Sequence, residues 1–136
     1  MSLPPRLDTL VVKNGISLGL LGEVDRALVL ALAAISLAAG RDYREAEVND
    51  MLLTWLAGPG AMLRVDHVEL RRWLVDAGFI ARDGFGRAYV RGAAEAARAD
   101  ALLGPHTSEE LGAAVAGLRA VRAAQREAQR HAHVDG

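Results

Sequence analysis

The fold turns on one stretch, Asp66-His67-Val68-Glu69-Leu70-Arg71-Arg72-Trp73-Leu74-Val75-Asp76-Ala77-Gly78. It runs straight into Phe79-Ile80-Ala81-Arg82-Asp83-Gly84-Phe85-Gly86-Arg87-Ala88-Tyr89-Val90-Arg91. Asp66 and Glu69 stand at the spacing of a capping box, in which each side chain takes a backbone N–H that the first helical turn leaves unpaired. Val65 and Leu70 flank that cap as a hydrophobic staple would. Gly78, lacking a Cβ, is suited to the left-handed residue that ends a helix. Beyond it, Asp83-Gly84 separates two short apolar-polar segments, a hairpin signal. Helix, glycine stop and hairpin in immediate succession predict the last helix and the wing of a winged helix-turn-helix.

Reading toward the N-terminus, Ala57-Gly58-Pro59-Gly60 breaks the chain before a helix predicted over Tyr43–Leu56. In that helix Val48, Leu52, Trp55 and Leu56 form a stripe at i, i+4, i+7, i+8, and Tyr43 and Val48 stand at staple spacing. Asp42 with Glu45, or a later start, would cap it. Glu23–Ala39 is a second predicted helix, acidic at its positive end and stopped by Gly40. It is apolar nearly all round and belongs at the centre of the packing. Asn14-Gly15 between Leu10-Val11-Val12 and Ile16-Ser17-Leu18 predicts a hairpin. Residues 1–9, with Pro4-Pro5, read as a flexible arm.

Toward the C-terminus, residues 92–136 read as a helical extension. An alanine-rich helix over Gly92–Leu103 is broken by Gly104-Pro105. Thr107 and Glu110 then stand at capping-box spacing. The helix they open repeats Leu111, Ala114, Val115, Leu118, Val121 and Ala128 at threes and fours, an apolar seam that fits the chain's own body or a second copy. The fold class expected is therefore mainly α: a winged helix-turn-helix over residues 10–91 with a short β-hairpin wing, plus a C-terminal amphipathic helix.

The composition narrows the classes. Residues are 51% apolar but only 4% aromatic, so the core is built of Ala, Leu and Val. There is no cysteine, which excludes disulfides and thiolate metal sites. The nearly unbroken apolar run Ala27–Ala39 is too short for a membrane span, which takes about 20 residues. The first residues show no positive segment followed by an apolar one, so the reading is of a cytoplasmic protein without membrane attachment. The net charge of −1 argues against wholesale polyanion binding. Its distribution is uneven, however. Residues 41–63 set Arg41 and Arg44 against Asp42, Glu45, Glu47 and Asp50, whereas residues 64–91 set Arg64, Arg71, Arg72, Arg82, Arg87 and Arg91 against Asp66, Glu69, Asp76 and Asp83.

Tyr43-Arg44-Glu45-Ala46-Glu47-Val48-Asn49-Asp50-Met51-Leu52, followed by Leu70-Arg71-Arg72-Trp73-Leu74-Val75-Asp76 and Tyr89-Val90-Arg91, resembles the bacterial family called domain of unknown function 2087. The resemblance covers residues 10–91 and is carried best by Glu47-Val48-Asn49 and the run Leu70–Asp76. It implies a winged-helix module, sometimes attached to transcriptional regulators, without an established activity. Two features depart from the family: it commonly has threonine where Arg44 stands, and the Gly58–Val65 connector is longer here.

Two functions follow as expectations. In the first, the chain is a transcription-regulator-like DNA-binding protein. Arg71, Arg72 and His67 on the 66–77 helix would meet base edges and phosphates, with Arg82 and Arg87 on the 79–91 wing beside them, in a homodimer. In the second it is a non-catalytic protein interaction module that leaves DNA alone. Its contacts would be Val68 and Val75 on the 66–77 helix and Leu111, Val115, Leu118 and Val121 on the last helix. No catalytic constellation, phosphate loop or metal motif is present in the sequence, so no enzymatic activity, cofactor or metal is expected. Asn49 is expected to fix the helix pair by a hydrogen bond.

Overall fold

The computed structural model describes residues 3–85 and 87–135. The elements are α1 (Pro5–Leu10), a single 3-10 turn (Leu18–Leu20), α2 (Glu23–Ala34), β1 (Asp42–Arg44), α3 (Glu45–Ala57), α4 (His67–Asp76), β2 (Ala81–Arg82), β3 (Ala88–Val90), α5 (Ala93–Leu103) and α6 (Ser108–Asp135). The run α2-β1-α3-α4-β2-β3, with three antiparallel strands in the order β1-β3-β2, is a winged-helix arrangement. The register pairs Tyr43 with Tyr89 and Arg82 with Tyr89.

Every residue from Leu28 to Ile35 is buried, as its all-round apolar pattern requires. Helix α5 packs along α2, and α3 packs against α4. The start of α4 forms as its sequence dictates: Asp66 Oδ1 accepts the Glu69 N–H at 2.7 Å, and Leu70 of the staple is buried. Gly78 takes φ +80°. The N–H groups of Phe79 and Ile80 then both reach the Leu74 carbonyl, at 2.9 and 3.3 Å. That ending satisfies orphan carbonyls and drops Phe79 and Ile80 into the core, at 0% and 1% exposure. The wing follows as expected, with Asp83 N donating to Ala88 O at 3.0 Å.

The structure corrects several expectations. Residues 1–9 are not a loose arm. Pro5 opens α1 in the first turn, where a missing N–H costs nothing, and Leu3, Leu7, Leu10 and Val11 are buried. Their spacing is helical rather than alternating, so no hairpin forms around Asn14-Gly15. Gly15 does turn (φ +70°), but Ile16 bridges to Leu63 instead, through Ile16 N to Met62 O at 2.9 Å and Arg64 N to Ile16 O at 2.7 Å. Helix α2 stops at Ala34, short of Ala39. Ser36 Oγ donates to the Ala33 carbonyl at 2.6 Å, and the Ala38 N–H donates to the Tyr43 hydroxyl at 2.8 Å. Residues 42–44 form strand β1, so α3 begins at Glu45 with Arg44 at its cap. The Arg44 N–H donates to Glu47 Oε1 at 3.0 Å. A guanidinium has no acceptor, so only this half of a capping box exists. Residues 92–118 are not an appendage either: Ala99, Leu103, Leu111 and Val115 belong to the one core.

Among the described residues no helix is long and apolar enough to cross a membrane. The α3–α4 connector packs closely at one point. Gly60 lies against the Trp55 ring, and a Cβ there would come within 2.3 Å of two ring carbons. Gly60→Ala is therefore expected to lower stability by about 1–3 kcal/mol, the usual range for overpacking. Gly117→Ala, on an open stretch of α6 with nothing within 4 Å, is expected to raise it by about 0.5–1 kcal/mol. Thermal and denaturant melts of the two variants check both signs.

Candidate nucleic-acid interface

The six arginines of residues 64–91 do not act together. Arg71, on α4, is only 14% exposed at its side chain and lies 3.3 Å from Glu45 of α3. Its Nη1 also donates to the Asn49 side-chain oxygen, and its guanidinium stands over the Tyr89 ring at 5.9 Å. Tyr89 in turn donates its hydroxyl to Glu45 Oε1 at 3.1 Å. Arg71 is thus a strut joining α4, α3 and β3, not a hand held out to a groove. Asn49 has the structural part expected of it, as acceptor for that strut.

Arg91 is also lost to the surface. It is buried at 8% exposure, and its Nε donates to the Leu37 carbonyl at 2.9 Å. Burial is the main influence on its guanidinium and lowers its pKa, with Asp100 and then Tyr43 acting the other way. Arg41, just before β1, and Arg44, at its end, both lean on Glu47 of α3, at 3.4 and 3.3 Å. The Glu47 carboxyl is held below the usual glutamate range, first by the Arg44 backbone N–H and then by the Arg44 side chain.

The remaining cations face outward. Arg72 on α4, Arg82 on β2, Arg87 in the wing and Arg64 before α4 are exposed. None of the four makes an ion pair with a carboxylate among the described residues. Arg87 stacks on Phe85 at 5.3 Å, and Phe85 is 82% exposed at the wing tip. Asp83 Oδ1 accepts the N–H groups of Phe85 and Arg87, at 3.1 and 2.9 Å, so this carboxylate shapes the loop. His67 is half-buried in the first turn of α4.

The expected interface residues separate as well. Val75 packs on the core, and Val68 is half-buried. Leu111 and Val115 are buried within their own chain, and Leu118 packs beside them. The seam of α6 is therefore filled in cis as far as Leu118, while beyond it Val121, at 58% exposure, and Ala128 are open. Arg119 explains the docking of that half. It donates to Val11 O at 3.0 Å, Gly58 O at 2.7 Å and Pro59 O at 2.8 Å. Among the described residues, no three His, Cys, Asp or Glu side chains could share a metal ion.

A family model described as an uncharacterized protein conserved in bacteria, DUF2087, matches residues 22–91. The chain belongs to that family. The matched DUF2087 segment runs from the start of α2 to the end of the wing and contains the whole Arg71, Asn49, Glu45 and Tyr89 network. No curated protein and no solved structure matches the chain.

Adjacent arginines of this DUF2087 helix should behave differently on truncation. Arg71→Ala strands the Asn49 and Glu45 acceptors and is expected to cost about 1.5–3 kcal/mol, the range for hydrogen bonds to charged groups. Arg72→Ala is expected to stay within about 0.5 kcal/mol of the parent, as exposed substitutions do. Equal losses in urea melts would remove the distinction drawn between them.

Proposed function

We propose that this DUF2087 protein has a binding rather than a catalytic role, and that it associates with double-stranded DNA through the outer side of α4 and the wing. One observation carries the reading. Arg72, Arg82 and Arg87 are exposed and without carboxylate partners among the described residues, on the helix and hairpin that a winged-helix fold uses for DNA. Arg71, the other candidate of the pair, is excluded from contact by its place between α3 and β3. The charge available is small, and Glu69 and Asp76 share the α4 surface. Binding of this kind rests on phosphates, is weak, and falls steeply with salt.

Fluorescence anisotropy with a random duplex at low salt tests this. Three phosphate contacts give a slope of log K against log salt of roughly −2.7. Replacing Arg72, Arg82 and Arg87 together by Ala is expected to remove about that much of the slope and weaken binding at least tenfold. No binding at tens of micromolar, or an affinity indifferent to the triple change, would overturn the proposal.

A second reading, an interaction module that leaves DNA alone, has its own support. Leu20 and Val24 are 89% and 71% exposed and stand four residues apart where the chain enters α2. These two carry that reading better than Val75 or the inner α6 seam, which are already packed. Sedimentation of the parent and of Leu20→Asp with Val24→Asp tests self-association through this patch. A concentration-dependent mass that the double change abolishes supports it, and a strict monomer in both counts against it.

A further inference from the structure

The densest cationic feature of the molecule lies outside the family-matched segment, where α1 ends and α6 passes over it. Arg119, Arg122, Arg126 and Arg130 follow one another at three, four and four residues. At 100° per residue this keeps them on one side of α6. The first three line a cleft of about 210 Å³, together with Lys13 and Asn14 from the turn after α1. The rest of its lining is apolar, and no carboxylate contributes to it.

The charge balance of the cleft is what matters. Arg119 has its hydrogen bonds met by the carbonyls of Val11, Gly58 and Pro59. Val11 and Gly58 cap the C-terminal ends of α1 and α3, and such ends carry partial negative charge. Arg119 is thus a structural latch, and burial alone lowers its pKa. Lys13, Arg122 and Arg126 have no comparable partner. None of them makes an ion pair with a carboxylate among the described residues. Asp25, whose carboxyl is held below the usual range chiefly by Arg6 and only last by Lys13, is already gripped by Arg6 through bonds of 2.9, 3.1 and 2.9 Å. The nearest acid along α6, Glu127, is taken by Arg130 and His131. Exposed like charges gathered on one side of a cleft repel one another only weakly through solvent, and together they attract an anion.

We propose that this cleft is an oxyanion site that takes a phosphate group, held by the guanidinium forks of Arg122 and Arg126, the Lys13 ammonium and the Asn14 amide. Guanidinium groups pair with two phosphate oxygens at once, and an ammonium acts as a point charge beside them. A space of about 210 Å³ lies below the several hundred Å³ typical of pockets that enclose a whole small molecule. The site therefore holds the phosphate itself, with whatever carries it left outside.

Titration calorimetry of the full chain with inorganic pyrophosphate, at fixed ionic strength against chloride, tests the site. Saturable binding is expected, weakened at least tenfold by Arg122→Ala with Arg126→Ala, and weakened likewise by Lys13→Ala. Both arginines are exposed, and alanine is the best helix former, so the double variant should keep its fold; circular dichroism checks that it does. Pyrophosphate binding that falls with Arg72→Ala and Arg82→Ala but not with the changes at Arg122 and Arg126 places the anion on the α4 and wing surface and overturns the proposal. Absence of saturable binding at millimolar pyrophosphate, or binding indifferent to the changes at Arg122 and Arg126, overturns the proposal. A short duplex added to the complex then identifies the carrier. Displacement of pyrophosphate, with duplex affinity lowered by the Arg122 and Arg126 changes, assigns the phosphate to a nucleic-acid backbone. Retention of pyrophosphate assigns it to a small phosphorylated ligand.

Discussion

The winged-helix body depends on one guanidinium. Arg71 leaves α4 and meets three elements at once: Asn49 and Glu45 on α3, and Tyr89 on β3. Glu45 is the first residue of α3 and also accepts the Tyr89 hydroxyl, so the helix pair and the sheet share a single polar joint. It sits at the edge of the core, with Arg71 and Asn49 partly buried and Glu45 half-exposed. Tyr89 is 1% exposed, and Leu70 and Leu74 of α4 are fully buried close by in sequence. Truncating Arg71 leaves the part-buried Asn49 oxygen without its donor, and such a loss costs more than the bond contributes while intact.

The joint also gives the triplet Glu47-Val48-Asn49 a physical meaning. Glu47 takes the N–H at the α3 cap, Val48 is buried in the core, and Asn49 receives Arg71. Three consecutive residues thus serve the cap, the core and the joint. With arginine at position 44 the cap offers no side-chain acceptor to the first-turn N–H groups, and what holds this end is Glu47, which takes the Arg44 N–H and pairs with its guanidinium.

The parts legible from the residues alone were those whose signals are local. Asp66, Gly78 and Asp83-Gly84 act within a few residues of themselves, and α4 and the wing stand where those residues place them. Strand β1 was not legible. It is three residues long, and it exists because β3 offers Tyr89 across from Tyr43, a pairing 46 residues distant in the chain. The turn at Asn14-Gly15 was read correctly as a turn and wrongly as a hairpin. The helical spacing of Leu7, Leu10 and Val11 won over a motif that needs two strands to close. The charge surplus of residues 64–91 misled in a similar way. A count treats Arg71, Arg72 and Arg91 alike, whereas the fold buries the last, couples the first and exposes only the second. On α6 the signal is one of arrangement, with Arg119, Arg122, Arg126 and Arg130 recurring at threes and fours on one side of the helix.

Helix α6 divides the molecule's tasks. Its first three turns complete the core through Leu111 and Val115, and Arg119 locks them to the ends of α1 and α3. From Ala120 to Ala132 every residue is exposed. A free helix of that length is marginal in water because nucleation is costly. Here the docked turns have already nucleated it, so each further residue needs only propagation, and the alanines favour that step. The outcome is a cationic helix held out beyond a finished core. The residues of the Arg71 joint all fall within the family-matched segment 22–91, while Lys13, Arg119, Arg122 and Arg126 all fall outside it. Docking α6 on α1 therefore adds a positively charged cleft whose cations all come from outside the family-matched segment, over a floor that the segment shares through Ala61 and Met62.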